Sequence, residues 1–141
     1  MEQIVLDILN LIPFGALATT NEDGTPHVIP MHFAADDRSI YWFSMASAQH
    51  SQNIERGSEI GFAVWTPDRI PNHRGISVHS VARRITSEYE LGRGKTVFTM
   101  KFPEIPEAFA GYDMYTAPIG QIDHDRSGGN TWYLNGTGNH F

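Results

Sequence analysis

Apolar positions recur at helical spacing most clearly at the start of the chain. Ile4, Val5, Ile8, Leu9 and Ile12 are interleaved with Glu2, Gln3, Asp7 and Asn10. That spacing predicts an amphipathic helix with one buried stripe, stopped by Pro13. Beyond it the period changes to two. FGALATT (14–20) and TPHVIPMHFA (25–34) flank NEDG, and two apolar runs around an Asp-Gly turn predict a hairpin. DDRS (36–39) makes a second turn before IYWFSM (40–45), a run of aromatic strand formers. The opening of the chain therefore reads as a helix followed by a three-strand meander.

ASAQHSQNIERG (46–57) is polar and does not alternate. It predicts a short helix, with Ser47 as N-cap and Gly57 at the C-terminal end. SEIGFAVWT (58–66) returns to alternation, and PDRIPN is a loop held by Pro67 and Pro71. In RGISVHSVARRITSEYE (74–90), Ile76, Val78, Ser80, Ala82 and Arg84 fall on one side. Ser77, His79, Val81, Arg83 and Ile85 fall on the other, so the segment predicts one long, bent strand. LGRGKTVFTMKF (91–102) predicts a helix whose start is weakened by Gly92 and Gly94. MYTAPIGQIDHD (114–125) and TWYLNG (131–136) read as closing strands. Hairpin-linked strands with short helices at the edges predict a mainly β fold, a small antiparallel barrel, closed or partly closed. Closure removes exposed strand edges. With 141 residues and no repeat or linker, the expectation is one domain over residues 1–141.

Composition narrows the chemistry. The absence of cysteine excludes a disulfide framework, a thiolate nucleophile and cysteine-bound metal. Sixteen acids against ten bases leave a net charge of −6, and no Lys or Arg precedes Arg38. That balance argues against nucleic acid, which is held by a basic face. Arg83, Arg84, Arg93, Lys95 and Lys101 concentrate positive charge, but Glu88 and Glu90 interleave and the group reads as a solvated face. No basic leader and no run of eighteen apolar residues occur, so a soluble cytoplasmic protein is expected. Among the seven histidines, His27 and His32 face opposite sides of a strand, and His73 and His79 lie about 20 Å apart at strand rise. No metal is expected. No GxSxG elbow, P-loop or GxGxxG is present.

The ordered run GTPHVIPMHFAADDRSIYWFSM, ASAQHSQNIERGSEIGFAVW and RGISVHSVARRI resembles the pyridoxamine 5′-phosphate oxidase-like family of FMN-binding split barrels. The likeness runs from Phe14 to Ser87 and lies in the order of the segments rather than in any single motif. It implies a Greek-key split β-barrel and a homodimer with FMN at the subunit interface. It also implies flavin redox chemistry on an unidentified small organic molecule, consistent with cofactor enzymes in which the protein mainly orients and tunes. In the family the backbone of the second strand lies along the isoalloxazine ring, which maps to Val28, Ile29, Pro30 and Met31. A strand-end hydroxyl and the helix after it hold the phosphate, mapping to Ser44, Met45, Gln49 and His50. An aromatic of the partner subunit covers the ring, and Trp132 is the candidate.

The departures concern charge. His50 stands where the family has a phosphate-binding lysine, and Gln49 where arginine is frequent. His27 and His32 replace basic residues at the two ends of the second strand, and Gly75, beside Arg74, replaces a glutamine. A charge pair near 4 Å is worth up to ~4 kcal/mol at an effective dielectric of 20, so the resemblance implies weakened FMN binding. Phosphate favours imidazolium, so His50 or His32 is expected to bind it protonated, with helix N-terminal amides adding to the hold. The rival reading is a flavin-free split-barrel dimer acting as a binding or structural protein; deazaflavin or haem on the same scaffold is a third. TWYLNGTGNHF carries no arginine after its tryptophan, so true pyridoxamine phosphate oxidase activity is not expected. His79, Tyr115 and Tyr133 are the polar candidates for a proton donor. Without the resemblance, His50 would read as a solvated helix residue, Val28, Ile29 and Met31 as barrel wall, and Trp132 as a core or interface anchor.

Overall fold

The computed structural model describes residues 2–104, 106–120, 130–136 and 138–140. The first helix, α1 (Gln3–Leu11), buries Val5, Ile8 and Leu9, as its apolar spacing predicts. Two antiparallel sheets follow. The larger has the order β10-β9-β6-β5-β1-β2, built from β1 (Phe14–Thr20), β2 (Pro26–His32), β5 (Glu59–Trp65), β6 (Arg74–Val81), β9 (Asn130–Asn135) and β10 (Gly138–His140). The smaller has the order β3-β4-β8-β7, from β3 (Ala34–Ala35), β4 (Ser39–Ser44), β7 (Arg83–Arg84) and β8 (Asp113–Pro118).

The chain changes sheet at two buried corners, Phe33 and Ala82. These corners correct two expectations. The aromatic strand β4 does not extend the first hairpin as a meander; it pairs with β3 and β8. Phe33 packs edge-on against Phe62 in the core and turns the chain out of the larger sheet. Likewise the segment 74–90 is two strands in two sheets, with Ala82 at the bend. Its last residues are helical, because Ser87 Oγ accepts the Glu90 N–H and starts α3 (Glu88–Lys101). The sheets do not join into one closed ring among the described residues, so this is a split barrel with strand edges left open.

Leu17, Phe62, Val64, Ile76 and Val78 from the larger sheet meet Trp42, Tyr115 and Ala117 from the smaller in one core, with α1 closing onto it. Packed against the smaller sheet, α3 forms a second cluster around Phe98. Gly94, a helix weakener by composition, is where α3 approaches most closely. A Cβ there would lie 2.5 Å from Met114 Sδ and 2.9 Å from Tyr41 Cδ1. The remaining helix, α2 (Gln49–Arg56), starts one residue later than Ser47 as N-cap would place it; Ala48 is its N-cap and supplies no side-chain bond. Residues 121–125 of the expected closing strand lie outside the described residues. Among the described residues no helix is long and apolar enough to cross a membrane.

Candidate functional site

The end of β4, the start of α2 and one edge of the larger sheet converge. Ser44, the last residue of β4, is buried, and its Oγ is hydrogen-bonded to His50 Nε2 in the first turn of α2. Burial lowers the His50 pKa below the ordinary histidine range, and repulsion from nearby His27 lowers it further. At neutral pH the free protein therefore holds His50 uncharged. Met45 is exposed on the turn between them, and its carbonyl accepts the Ala48 N–H.

What fixes α2 is Asn53, fully buried, with all four of its hydrogen-bonding positions used. Its Nδ2 donates to Thr19 Oγ1 at 3.0 Å and to Asn21 Oδ1 at 2.9 Å. Its Oδ1 accepts from Gln49 Nε2 at 2.9 Å and from Arg56 at 3.3 Å. Gln49 thus supports the helix through Asn53 rather than standing free. Arg56 also donates to the Thr20 carbonyl. The sequence reading missed these supporting roles, although Gln49, Asn53 and Arg56 lie at the i−4, i and i+3 spacing of one helix face.

The ring-binding candidates divide by face. β2 is an edge strand, which presents unpaired backbone N–H and C=O groups. Ile29 and Met31 pack against the core, whereas Val28, 61% exposed, and Pro30 point outward. His32 is drawn into an aromatic group, 4.3 Å from the Phe14 ring and 5.4 Å from Phe102 between centroids. It lies at the far end of β2 from His27, about 17 Å away at strand rise. The structure gathers Ser44 and His50 with His27 near them, and places His32 elsewhere. Trp132 is on the outer face in the cross-strand row Pro30–Ala16–Ala63–Ser77–Trp132. Four strand spacings separate it from β2, about 19 Å. Of the proton-donor candidates, Tyr115 is sealed in the core with its hydroxyl unpartnered, Tyr133 is partly buried against that core, and His79 is exposed on the outer face.

The family profile described as pyridoxamine 5′-phosphate oxidase matches residues 1–112. The chain belongs to that family. A conserved hypothetical protein of Mycobacterium tuberculosis superposes with a TM-score of 0.74 at 21% identity, over 96% of this chain and 86% of that one. HutZ, the haem storage protein of Vibrio cholerae, gives 0.72 at 16% identity, over 86% and 91%. An F420 reductase gives 0.63 at 24% identity, over 81% and 92%. At these identities the likeness is one of fold, and it places the chain among split barrels. No curated protein matches the sequence.

The donors present suit a phosphate held by hydrogen bonds: the Ser44 hydroxyl, the His50 imidazole and the amides that open α2. Among the described residues in this cluster no lysine or arginine points to a phosphate, because Arg56 is tied to the opposite end of α2.

Proposed function

We propose that this protein is a cytoplasmic FMN-dependent oxidoreductase that acts on a small organic molecule as a homodimer. The observation that carries the reading is the Ser44–His50 pair at the start of α2, beside the open edge of β2, in a chain of this family. FMN, when bound, supplies hydride transfer. Ser44, His50 and the first amides of α2 bind its phosphate, and Met45 lies on the turn between them. The backbone from Val28 to Met31 would hold the ring, with Ile29 and Met31 anchoring that edge in the core. Asn53 and Gln49 position His50 by fixing the helix.

The dimer is supported by the outer face of the larger sheet. Ala16, Ala18, Gly61 and Ala63 form a partly exposed floor, with Phe14, Val28 and Trp65 exposed around it. An apolar surface of this kind is suited to burial against a second copy. Trp132, too far from β2 of its own subunit, would reach the ring of its partner.

The missing permanent charge favours one alternative, a flavin-free dimer that serves as a binding protein. Titrating flavin-free protein with FMN at pH 6 and pH 8, followed by flavin fluorescence, separates the two. Phosphate draws His50 toward imidazolium, so binding takes up a proton and affinity is expected to be higher at pH 6. Substituting His50→Ala should weaken binding at least tenfold. Absence of FMN binding at both pH values would sink the flavoenzyme reading and leave the alternative.

A further inference from the structure

We propose that Lys101 is a covalent acceptor site, taking a short aliphatic acyl group from a thioester bound in the cavity between α1, β3 and α3. The cavity, of about 460 Å³, is bounded by Asn10, Ala35, Asp36, Val97, Met100 and Lys101. None of these residues belongs to the larger sheet. The site therefore lies apart from the outer face given to the second copy, and apart from the flavin cluster on β2, β4 and α2. It does not rest on the flavin reading.

The surroundings of the amine suit its neutral form. Lys101 is the last residue of α3 and is half-buried. Among the described residues its Nζ has no carboxylate partner; it donates to the Leu9 and Ile12 carbonyls at 2.7 Å each. Asp36, the charged group that shares the cavity, is bound to Arg93 at 3.0 Å. A neutral amine has two N–H groups and one lone pair, so both carbonyl bonds survive loss of the proton. The Phe33 ring, 3.7 Å from Nζ, favours the ammonium. Burial weighs more and pushes the Lys101 pKa down to about 7. At neutral pH about half of the molecules then carry a nucleophilic amine there, against fewer than about one in a thousand for a lysine titrating at the ordinary value.

The cavity selects the electrophile. Burial pushes the Asp36 carboxyl up, but the Arg38 and Ser39 amides and Arg93 outweigh it, so Asp36 stays ionised. It repels an acyl phosphate and offers no acid to expel water from an aldehyde adduct. A thioester is uncharged and expels a thiolate, which leaves without help from an acid because thiols titrate near 8.5. Val97 and Met100, three apart on α3, and Ala35 across from them give apolar walls to a chain of a few carbons. In the step, Nζ attacks the thioester carbonyl carbon, the C–N bond forms and the C–S bond breaks. The proton shed by the nitrogen goes to the departing thiolate. The resulting amide has one N–H and can serve only one of the two carbonyls, so acylation loosens the end of α1 and removes the charge over Phe33.

Lys95 and Lys101 are the two lysines of the chain, and Lys95 is exposed, which gives the test an internal reference. Flavin-free protein would be treated at pH 7 with S-butyryl-N-acetylcysteamine, and acylation at each lysine followed by peptide mass spectrometry. Lys101 should react at least fivefold faster than Lys95, and unfolding in urea should erase the preference. Met100 is 81% exposed, so Met100→Ala leaves the fold intact while removing one wall. That variant should slow acylation at Lys101 at least threefold and leave Lys95 unchanged. Equal rates at the two lysines, a preference that persists in urea, or an unchanged Lys101 rate in Met100→Ala would each overturn the proposal. Because the protein carries no flavin, failure to bind FMN leaves this result standing, and the reverse holds too.

Discussion

The two helices that follow the first sheet crossing hold opposite kinds of polar chemistry. Around α3 the cations are numerous, and Arg83, Arg84, Arg93 and Lys101 are engaged. Arg83 grips Glu90 with both terminal guanidinium nitrogens, and that contact holds the glutamate below its ordinary pKa. Burial pushes Asp36 upward, but the Arg38 and Ser39 amides and Arg93 outweigh it and keep the carboxyl below the usual range. Lys101 donates to the Leu9 and Ile12 carbonyls at 2.7 Å each, over the Phe33 ring at 3.7 Å. In the cluster at the start of α2 the polar groups are neutral: Ser44, Gln49, His50 and Asn53, while Glu55, paired with Arg84, and Arg56, turned to the backbone, lie toward the far end. The basic residues of this acidic chain hold its fold together at one helix and are withheld from the candidate site at the other. A net charge of −6 is thus no measure of the site; the distribution is.

The largest expected effect breaks the neutral side. Asn53→Ala removes a side chain with four hydrogen bonds and leaves buried Thr19 and partly buried Asn21 without their donor. Stranding buried polar groups costs about 1–3 kcal/mol each, so a loss of about 3 kcal/mol in urea unfolding is expected. Because Asn53 fixes the helix that carries His50, FMN affinity should fall with stability. A loss below about 1 kcal/mol would show that α2 is held mainly by Ile54 and its apolar contacts.

This dependence on Asn53 explains how far the sequence could be read. Period-two alternation locates β1, β2, β5 and β6 because one face of each meets the core, and that burial writes itself into the residue types. The corners at Phe33 and Ala82 leave no such mark. Each is an apolar residue inside an apolar pattern, and only pairing shows that the chain has changed sheet. The site was legible to a similar depth. Ser44 and His50 follow from segment order and do meet. His32 does not join them, since its ring finds Phe14 and Phe102, residues distant from it in sequence. Asn53 reads as one polar helix residue among several, because its partners Thr19 and Asn21 lie more than thirty positions away.

A smaller effect tests the charged side. Burial pushes the Lys101 ammonium down to about 7, while the two carbonyls, the C-terminal end of α1 and the ring face favour the charged form. Lys101→Met keeps the apolar stem and removes the donors. The released desolvation cost offsets part of what is lost, and a destabilisation of about 1–2 kcal/mol is expected by urea unfolding. FMN affinity should stay within twofold of the parent, in contrast to Asn53→Ala. A parallel fall in FMN affinity would break the division between the two helices.

The smallest effect isolates His50 itself. Its folded pKa lies below the unfolded value, first through burial and then through His27. Between those two values the unfolded chain binds more protons, so stability rises with pH there and falls as the solution is acidified below about 6.5. One proton limits the slope to about 1.4 kcal/mol per pH unit, and because His50 remains partly exposed, solvent screening keeps the observed slope well under that limit. Denaturation curves at pH 7 and pH 5.5 should therefore separate for the parent protein and draw closer together in His50→Gln, which keeps a hydrogen-bonding group beside Ser44 without the titration. Saturating FMN should act in the opposite sense, because bound phosphate raises the His50 pKa. With FMN present, acidification to pH 5.5 should cost less stability than it does without it. An equal cost in both states would mean that the phosphate is held by Ser44 and the backbone amides of α2 alone.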